Sequence, residues 1–573
     1  MAFVPLHVHT EYSLLDGLSQ IKPLVKKAKE FGFSAMAITD HGVMYGAIEF
    51  YKACKANDMK PIIGMEAYVS REDHTIKDSE KKTNANHLLL LAKNYQGYRN
   101  LMKLTSIAQL EGFYYKPRFD KDTLRKYAEG IICTSACPAG ELAQSIIEGG
   151  FDSAREVVKW YQEVFGEDYY LEIQKHQYEK FLPLVKDPVI KADLEKQMKN
   201  EEILNSTIIK LSREFGIPLI ATNDSHYINP DDATAQDALV CVSTGTNVSD
   251  VNRLRFIDVP SFYVRSGEEM ESLFPETPDA ITNTQLVADK CDLEIVLGKW
   301  YFPKPDLPPG TDEVTELRSR IAKEGPERIE INEDVQKRID FELDTICTKG
   351  YAGYFLIMSE FARWTKSQGI ITNTRGSAAG SLVSYILGIT TVDPIRYLLP
   401  FERFLNPFRP SPPDIDLDIA DNRRQTMIEF ITKRFGSEKV AQICTFGRMM
   451  AKASVKDIAR VLGYEYSFGD QLSKIIPEGS QGFPMSIDRA LEESDELRAR
   501  YSSDPDAKKV IELAKKVEGN ARHISVHAAA VVVAPEEITN FSPVQRETKG
   551  DKVITQYEMH AAEDVGLIKF DIL

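Results

Sequence analysis

Short apolar runs alternate with amphipathic stretches through the first half of the chain. The runs are FVPLHV, SAMAIT, KPIIGMEAYV, HLLLLA, GIICTS, YYLEI and IPLIAT, each bounded by polar residues. Runs of this length predict strands. Between some of them lie segments with apolar residues at helical spacing, such as IKPLVKKAKEFGF and AIEFYKACKAND. Strands alternating with helices predict βαβ units and a parallel sheet. Seven such strands predict a closed or nearly closed βα barrel over residues 1–285. Within it, KDPVIKADLEKQMKNEE (186–202) reads as a helical surface insertion. Residues 286–444 are mixed: DVQKRIDFELDTICTKG and YFLIMSEFARWTKSQG predict helices, then a Gly/Ser turn follows. NPFRPSPPDIDLDI is Pro-rich and then alternates, which predicts a loop entering a strand. Residues 445–520 are helical in pattern, and 521–573 return to the β-like runs AAAVVVA and GLIKFDIL.

The 573-residue length predicts several domains. Hydrophobic residues make up 43% and charged residues 27%, an ordinary globular composition without a run long enough to span a bilayer. MAFVPLHVHT lacks the basic start and apolar core of a signal peptide. Seven cysteines without a CxxC pair fit free thiols in a reducing cytoplasm. The net charge of -16 weighs against nucleic-acid binding, but it is an average. Arg423 to Arg460 is locally basic, holding Arg424, Lys433, Arg434, Lys439, Arg448, Lys452 and Lys456 against Glu429, Glu438 and Asp457. The alternative reading of that stretch is a solvated helix face.

Residue types that bind hard metals recur where the expected strands end. His7 and His9 close the first run, where i and i+2 share a face. Asp16 follows in the next loop. Asp40 and His41 end the second run, Glu66 lies in the third, His87 opens the fourth, Cys137 follows the fifth, and Asp224 and His226 end the seventh. Active sites of βα barrels collect at the C-terminal strand ends. Such a donor set suits two or three divalent cations, Zn2+ or Mn2+ among them, and phosphoester hydrolysis. HVHTEYSLLDG, AITDHG, GMEAYV and ATNDSHY resemble the successive motifs of the PHP phosphoesterase family. That resemblance implies nine ligands: His7, His9, Asp16, His41, Glu66, His87, Cys137, Asp224 and His226. It also implies a metal-loaded site, with 3′ to 5′ exonuclease activity as its expected chemistry. Asp40 then supports the ligands, and Glu172 and His176 read as structural.

PDIDLDI places Asp414, Asp416 and Asp418 at alternating positions, on one face of a strand. Bare carboxylates so placed repel one another, and two Mg2+ ions would neutralise them. A further acid, Asp571, comes from KFDIL. Alone, DxD is a weak signal that a solvated acidic strand explains more commonly. Upstream, RGSAAGSL carries Gly376, Ser377, Gly380 and Ser381, small residues that let backbone N–H groups approach phosphate. Arg403 and Lys569 are cations available to a triphosphate.

RGSAAGSL, FERFLNP, PDIDLD, ICTFG, RHISVHAAAVVVAP and KFDIL together resemble, in order and spacing, the C-family bacterial replicative DNA polymerases. The resemblance runs the length of the chain. It implies a multidomain α/β and α+β protein: a PHP (βα)7-type barrel (1–285), a polymerase-beta-like nucleotidyltransferase palm (286–444 and 521–573) and a helical thumb (445–520) inserted in the palm. The implied catalytic carboxylates are Asp414, Asp416 and Asp571, supported by Asp418, with Lys452 and His527 near the nucleotide or DNA. Primer-template DNA and dNTPs become the implied partners. Sliding clamp and clamp-loader or other replisome subunits would bind through regions beyond residue 573, and the location would be cytoplasmic with no membrane association. Two departures stand out: Asn373 and Thr374 precede Arg375 where the family has Gly, and HAAA ends on Ala530, where a Gly with positive φ would be replaced under strain. On this reading the chain is a fragment lacking fingers, with weak or no processive synthesis by itself. The rival readings are a stand-alone PHP phosphoesterase and a non-catalytic scaffold stabilised by metal.

Overall fold

The computed structural model describes residues 3–77, 85–408, 413–480 and 482–573; residues 409–412 of the Pro-rich run lie outside them. Two compact units divide the chain: Met1–Ile295 with Phe446–Ser525, and Val296–Thr445 with Val526–Leu573.

The first unit is built on a seven-stranded sheet. Its strands are β1 (Ala35–Ile38), β2 (Lys60–Ser70), β3 (Ala85–Ala92), β4 (Arg118–Phe119), β5 (Ile131–Thr134), β6 (Tyr169–Gln174) and β7 (Leu219–Thr222). The order is β1-β2-β3-β5-β6-β7, with β4 paired to β2. The expected all-parallel sheet is corrected at one strand: β3 runs antiparallel to both β2 and β5. The link from β2 to β3 contains no helix in its described part. Only a crossover of a dozen or more residues, usually helical, returns a chain parallel.

The first apolar run is also corrected. It is an extended segment, not a full strand, with a single parallel bridge from Val8 to Ser225. It nonetheless bonds on both sides. Ala37 N–H donates to Pro5 O (2.9 Å) and Thr39 N–H to Val8 O (2.8 Å) on one side; Ser225 N–H donates to His7 O (3.1 Å) on the other. It thereby fills the gap between β1 and the end of β7, and the curled sheet closes around a core of Val4, Leu6, Ala37, Ile62, Leu91 and Ile220.

The described residues of 446–525 contribute five helices to this unit, from Ala451–Val461 to Pro505–Val517. Val455, Ile458, Val510 and Ala514 share one buried cluster with Ala238, Leu239 and Phe256.

The second unit centres on a mixed sheet ordered β12-β13-β10-β11-β14-β9-β8. These are β8 (Thr372–Arg375), β9 (Asp416–Ile419), β10 (Val440–Arg448), β11 (Ala521–Val533), β12 (Val544–Arg546), β13 (Val553–Glu558) and β14 (Ile568–Ile572). The boundary between units falls inside β10 and β11. Helices Glu333–Thr348 and Ala352–Ser367 bury Ile339, Phe355 and Phe361 with Leu417, Val531 and Phe570. Among the described residues no helix is long and apolar enough to cross a membrane.

Candidate metal centres

In the first unit the expected ligands converge. His7 Nε2 lies 3.3 Å from both Glu66 Oε1 and Asp224 Oδ1, and His9 Nε2 lies 3.2 Å from that same Asp224 oxygen. His41 Nδ1 is 2.8 Å from Glu66 Oε2, while its Nε2 is 3.1 Å from Asp16 Oδ2. His87 Nδ1 approaches Glu66 Oε1 at 2.9 Å, and Cys137 Sγ meets both His87 Nδ1 (3.4 Å) and Glu66 Oε1 (3.3 Å). The His226 ring stacks on His9 at 4.3 Å. All nine side chains therefore meet around Glu66 and Asp224.

Local backbone holds them there. β2 carries Glu66 and β3 carries His87, while the strand-end loops carry the rest. Three of those loops adopt left-handed backbone at non-glycine residues: Leu15 (φ 60°) before Asp16, Ala136 (φ 60°) before Cys137, and Asp224 itself (φ 48°). Such strain persists only where surrounding structure over-determines it, and it gathers at functional sites. Gly17 lets the Asp16 loop fold back, because a Cβ there would sit 2.1 Å from Thr10 O.

The donor set fits a divalent cation. His7 Nε2, His9 Nε2 and Asp224 Oδ1 are buried, yet none has a hydrogen-bond partner among the described residues. Imidazole nitrogen faces carboxylate oxygen here at ion-pair distance without the geometry of a bond, as atoms sharing a common ligand do. Protons are distributed accordingly. Burial and the neighbouring His41 and His226 push His9 down to about 3. Against the penalty of burial, the Asp16 and Glu66 carboxylates hold His41 up at about 10. Burial and then the Glu66 charge push the Cys137 thiol well above its ordinary value.

Two carboxylates brace the cluster from behind. Asp40 accepts from Thr10 N–H (2.7 Å) and Ser13 Oγ (2.7 Å), and Ser13 Oγ also meets His9 Nδ1 (3.0 Å). This matches its expected supporting place. Glu172, read from sequence as structural, has a more specific position: His7 Nδ1 lies 2.7 Å from its Oε1. Gln174 Nε2 and the Thr134 and Thr222 hydroxyls donate to the same carboxylate. It fixes the His7 tautomer with Nε2 turned to the cluster. All six residues of β6 are buried, Glu172 among them, so no in–out alternation along the strand marked it.

A smaller group, Asp73, His74 and Asp120, also gathers. There His74 Nδ1 is 2.6 Å from Asp120 Oδ2, while Asp120 Oδ1 caps helix Lys121–Lys126. It latches a loop to a helix.

In the second unit Asp414, Asp416 and Asp571 each bring a carboxylate oxygen within 4.8 Å of the others. β14 pairs in parallel with β9 so that Asp571 stands opposite Asp416. The strand begins at Asp416, which corrects the expected single face of three: Asp414 precedes it. Asp418 stays on the Asp416 face but stands apart from the trio, 3.4 Å from Arg375 Nε. Lys569, two residues before Asp571, places Nζ 2.8 Å from Asp571 Oδ2 and 3.8 Å from Asp414 Oδ1. Lost hydration and then the Asp571 charge push the Asp416 carboxyl up, the mark of acids crowded without enough countercharge. That crowding fits a cation.

The Gly/Ser loop divides in two. Gly376 (φ 80°) and Ser377 are exposed, and a Cβ on Gly376 would lie 3.7 Å from Asp416 Oδ2. Gly380 and Ser381 are corrected: they are buried and already engaged. A Cβ on Gly380 would strike Pro400 O at 2.6 Å. Ser381 Oγ donates to Glu342 Oε2 (2.9 Å), and Leu382 and Val383 N–H donate to the same carboxylate (3.0 Å each). Glu342, absent from the sequence reading, thus fills the helix start expected to face phosphate. Arg403 is exposed. His527 Nδ1 accepts from Ala530 N–H (3.0 Å), which leaves Nε2 as the ring donor. Ala530 sits in β11 opposite Asp571 with no positive φ, so the expected strain is absent. In the first unit Lys452 pairs with Glu478. Much of the locally basic stretch is likewise spent internally, on Arg434–Glu360, Arg448–Glu11 and Lys456–Asp470.

Residues 5–176 match the PHP domain family, and residues 314–573 match the bacterial DNA polymerase III alpha NTPase domain. Three curated relatives, each called DNA polymerase III subunit alpha, align with all of this chain. The protein of Borreliella burgdorferi is 42% identical, with 48% of its length covered. That of Helicobacter pylori strain J99 is 40% identical, with 48% covered. That of Treponema pallidum is 39% identical, with 47% covered. Among solved structures, an amidohydrolase from Chromobacterium violaceum covers 18% of this chain and 33% of its own, at 21% identity and a TM-score of 0.14. The chain spans about half the length of the curated relatives it matches. A PHP domain followed by the polymerase alpha NTPase domain, each with a gathered set of side chains that could hold metal, makes this chain similar over its whole length to bacterial DNA polymerase III alpha subunits.

Proposed function

We propose that the second unit carries the nucleotidyl-transfer site of a DNA-directed DNA polymerase, adding dNTPs to a primer 3′-OH. The observation that carries this is the Asp414, Asp416 and Asp571 trio, set by the β9–β14 register in a chain aligned throughout with polymerase III alpha subunits. Two Mg2+ ions held by these acids would lower the pKa of the attacking hydroxyl and offset triphosphate charge. The chain's own part is positioning. Lys569 holds Asp571 in place through their 2.8 Å ion pair. Gly376 and Ser377 offer an open backbone beside Asp416, and His527 Nε2–H and Arg403 are donors suited to phosphate oxygens. Residues 286–444 and 521–573 correspond to the palm in this reading, and 445–520 to the thumb. The natural partners are primer-template DNA, dNTPs and replisome subunits including the clamp, and the setting is cytoplasmic.

We assign the first unit to phosphoester hydrolysis, 3′ to 5′ on DNA, with Zn2+ or Mn2+ held by His7, His9, Asp16, His41, Glu66, His87, Cys137, Asp224 and His226. The buried, unpartnered nitrogens of His7 and His9 support this over a purely structural cluster. One labelled primer-template tests both sites. Asp416→Asn is expected to abolish extension, and with it any rise in melting temperature on adding Mg2+ at that site. His9→Ala is expected to abolish degradation and spare extension. Extension surviving Asp416→Asn removes the synthetic assignment; degradation surviving His9→Ala removes the hydrolytic one.

A further inference from the structure

A cavity of about 600 Å³ opens from the first unit's ligand cluster. It runs from Asp16 and His41 past Gln174 and His176 to helix Pro188–Phe215 and the segment 251–262. His176 lines it, 3% exposed, its ring stacked 4.4 Å from Phe262. Three bonds hold this residue. Its Nδ1 lies 2.8 Å from Glu201 Oε2, its backbone N–H donates to the same oxygen (3.0 Å), and Ser261 Oγ donates to its carbonyl (2.8 Å). Glu201 belongs to the helix whose first part reads as a surface insertion.

The carboxylate at Nδ1 puts the ring proton there and leaves Nε2 as a lone-pair acceptor. Nε2 is buried and has no partner among the described residues. A buried acceptor left unmatched costs about 1–3 kcal/mol. The cavity can supply what is missing only through a ligand that brings a donor. A fully ionised phosphate has none; the sugar hydroxyl of a nucleotide does. Val189, Ile190, Leu194 and Phe256 give the same cavity an apolar wall suited to a base, opposite the metal-binding carboxylates that suit a phosphate.

We propose that His176 reads the free 3′-hydroxyl of a terminal nucleotide: Nε2, fixed as acceptor by Glu201, takes the O–H hydrogen bond. This rests on the hydrolytic reading of the same cavity. His176 is then a substrate-binding residue, and 3′-hydroxyl ends are preferred over ends that lack one.

The test compares single-stranded oligonucleotides ending in a 3′-hydroxyl or in a dideoxynucleotide, with Mn2+ present. Wild type is expected to favour the hydroxyl end about tenfold in kcat/KM, the worth of one such bond. His176→Ala is expected to erase that preference by slowing only the hydroxyl substrate. His176→Gln, which returns an acceptor, is expected to restore part of it. Binding of thymidine 5′-monophosphate against its 3′-deoxy analogue, followed by 31P NMR on Zn2+-equilibrated protein, repeats the comparison without turnover. It also separates a free nucleotide from a strand end as the ligand. A preference unchanged in His176→Ala, or absent in wild type, overturns the proposal. His9→Ala is the control for the parent reading. Hydrolysis that persists in it rejects the hydrolytic site, while the binding comparison still decides His176.

Discussion

Glu172 shows how one buried side chain sets the character of a site it does not belong to. Its carboxylate has four side-chain contacts, and the one that matters for chemistry is with His7 Nδ1. The others keep the acid rigid, so that His7 cannot turn its Nε2 away from Glu66 and Asp224. Glu172→Gln keeps the shape but can present an N–H to His7 where the carboxylate accepted one. A loss of about 10- to 100-fold in Zn2+ or Mn2+ affinity at the first-unit site is expected, the range for partners that orient ligating histidines. Competition with a chromophoric chelator measures it, and unchanged affinity would assign Glu172 to packing alone. Of the nine residues expected as ligands, seven stand in dense local motifs, while His87 and Cys137 were marked only by their places beside expected strands. Glu172, Glu201 and Glu342 were not legible, because their partners lie 165, 25 and about 40 residues away.

At the scale of elements, the apolar runs located the first extended segment and six of the strands β1 to β7, missing the two-residue β4, but not the direction of β3. Its direction was readable in what is missing before it: REDHTIKDSEKKTNAN carries no helical period, and a parallel return needs a crossover. The 186–202 helix was found, but its inner face was not, since Leu194 and Glu201 are spaced too sparsely among charges to signal a cavity wall. The Gly/Ser loop misled for a different reason. Small residues serve close packing and phosphate approach equally well, and only the position of Glu342 separates the two uses. That carboxylate accepts from Ser381 Oγ and two backbone N–H groups at the start of helix Leu382–Ile386, with Arg338 alongside at 2.6 Å. Glu342→Ala strands three buried donors and a cation. A destabilisation of about 3–5 kcal/mol is expected, the cost of breaking a buried pair from one side. Denaturant unfolding followed through Trp364, which packs against this core, reports it. A midpoint shift confined to a few tenths of that size would make the network dispensable.

At the scale of the whole chain, the segment Phe446–Ser525 is separated by some 150 residues from the sequence it folds with. Its apolar cluster with Leu239 and Phe256 explains the affinity but not the register. The register is polar: Arg448 Nη1 donates to Glu11 Oε2 (2.6 Å) and to Gly519 O (2.7 Å), and Ala521 N–H donates to the same Glu11 oxygen (3.1 Å). Burial, only partly offset by Arg448, pushes the Glu11 carboxyl up to about 7. The folded state therefore holds a proton on Glu11 more firmly than the unfolded chain does. Stability from this group is fully present below the unfolded value near 4.5 and is lost as pH rises through about 7. Arg448→Ala removes the charge that offsets burial, so the folded pKa rises further and more stability is lost on the alkaline side. The melting temperature of the variant is expected to fall more steeply than wild type between pH 6 and pH 8.5, while the two converge towards pH 5. Parallel curves across that range would show that Arg448 serves the fold through its hydrogen bonds to carbonyls and not through Glu11.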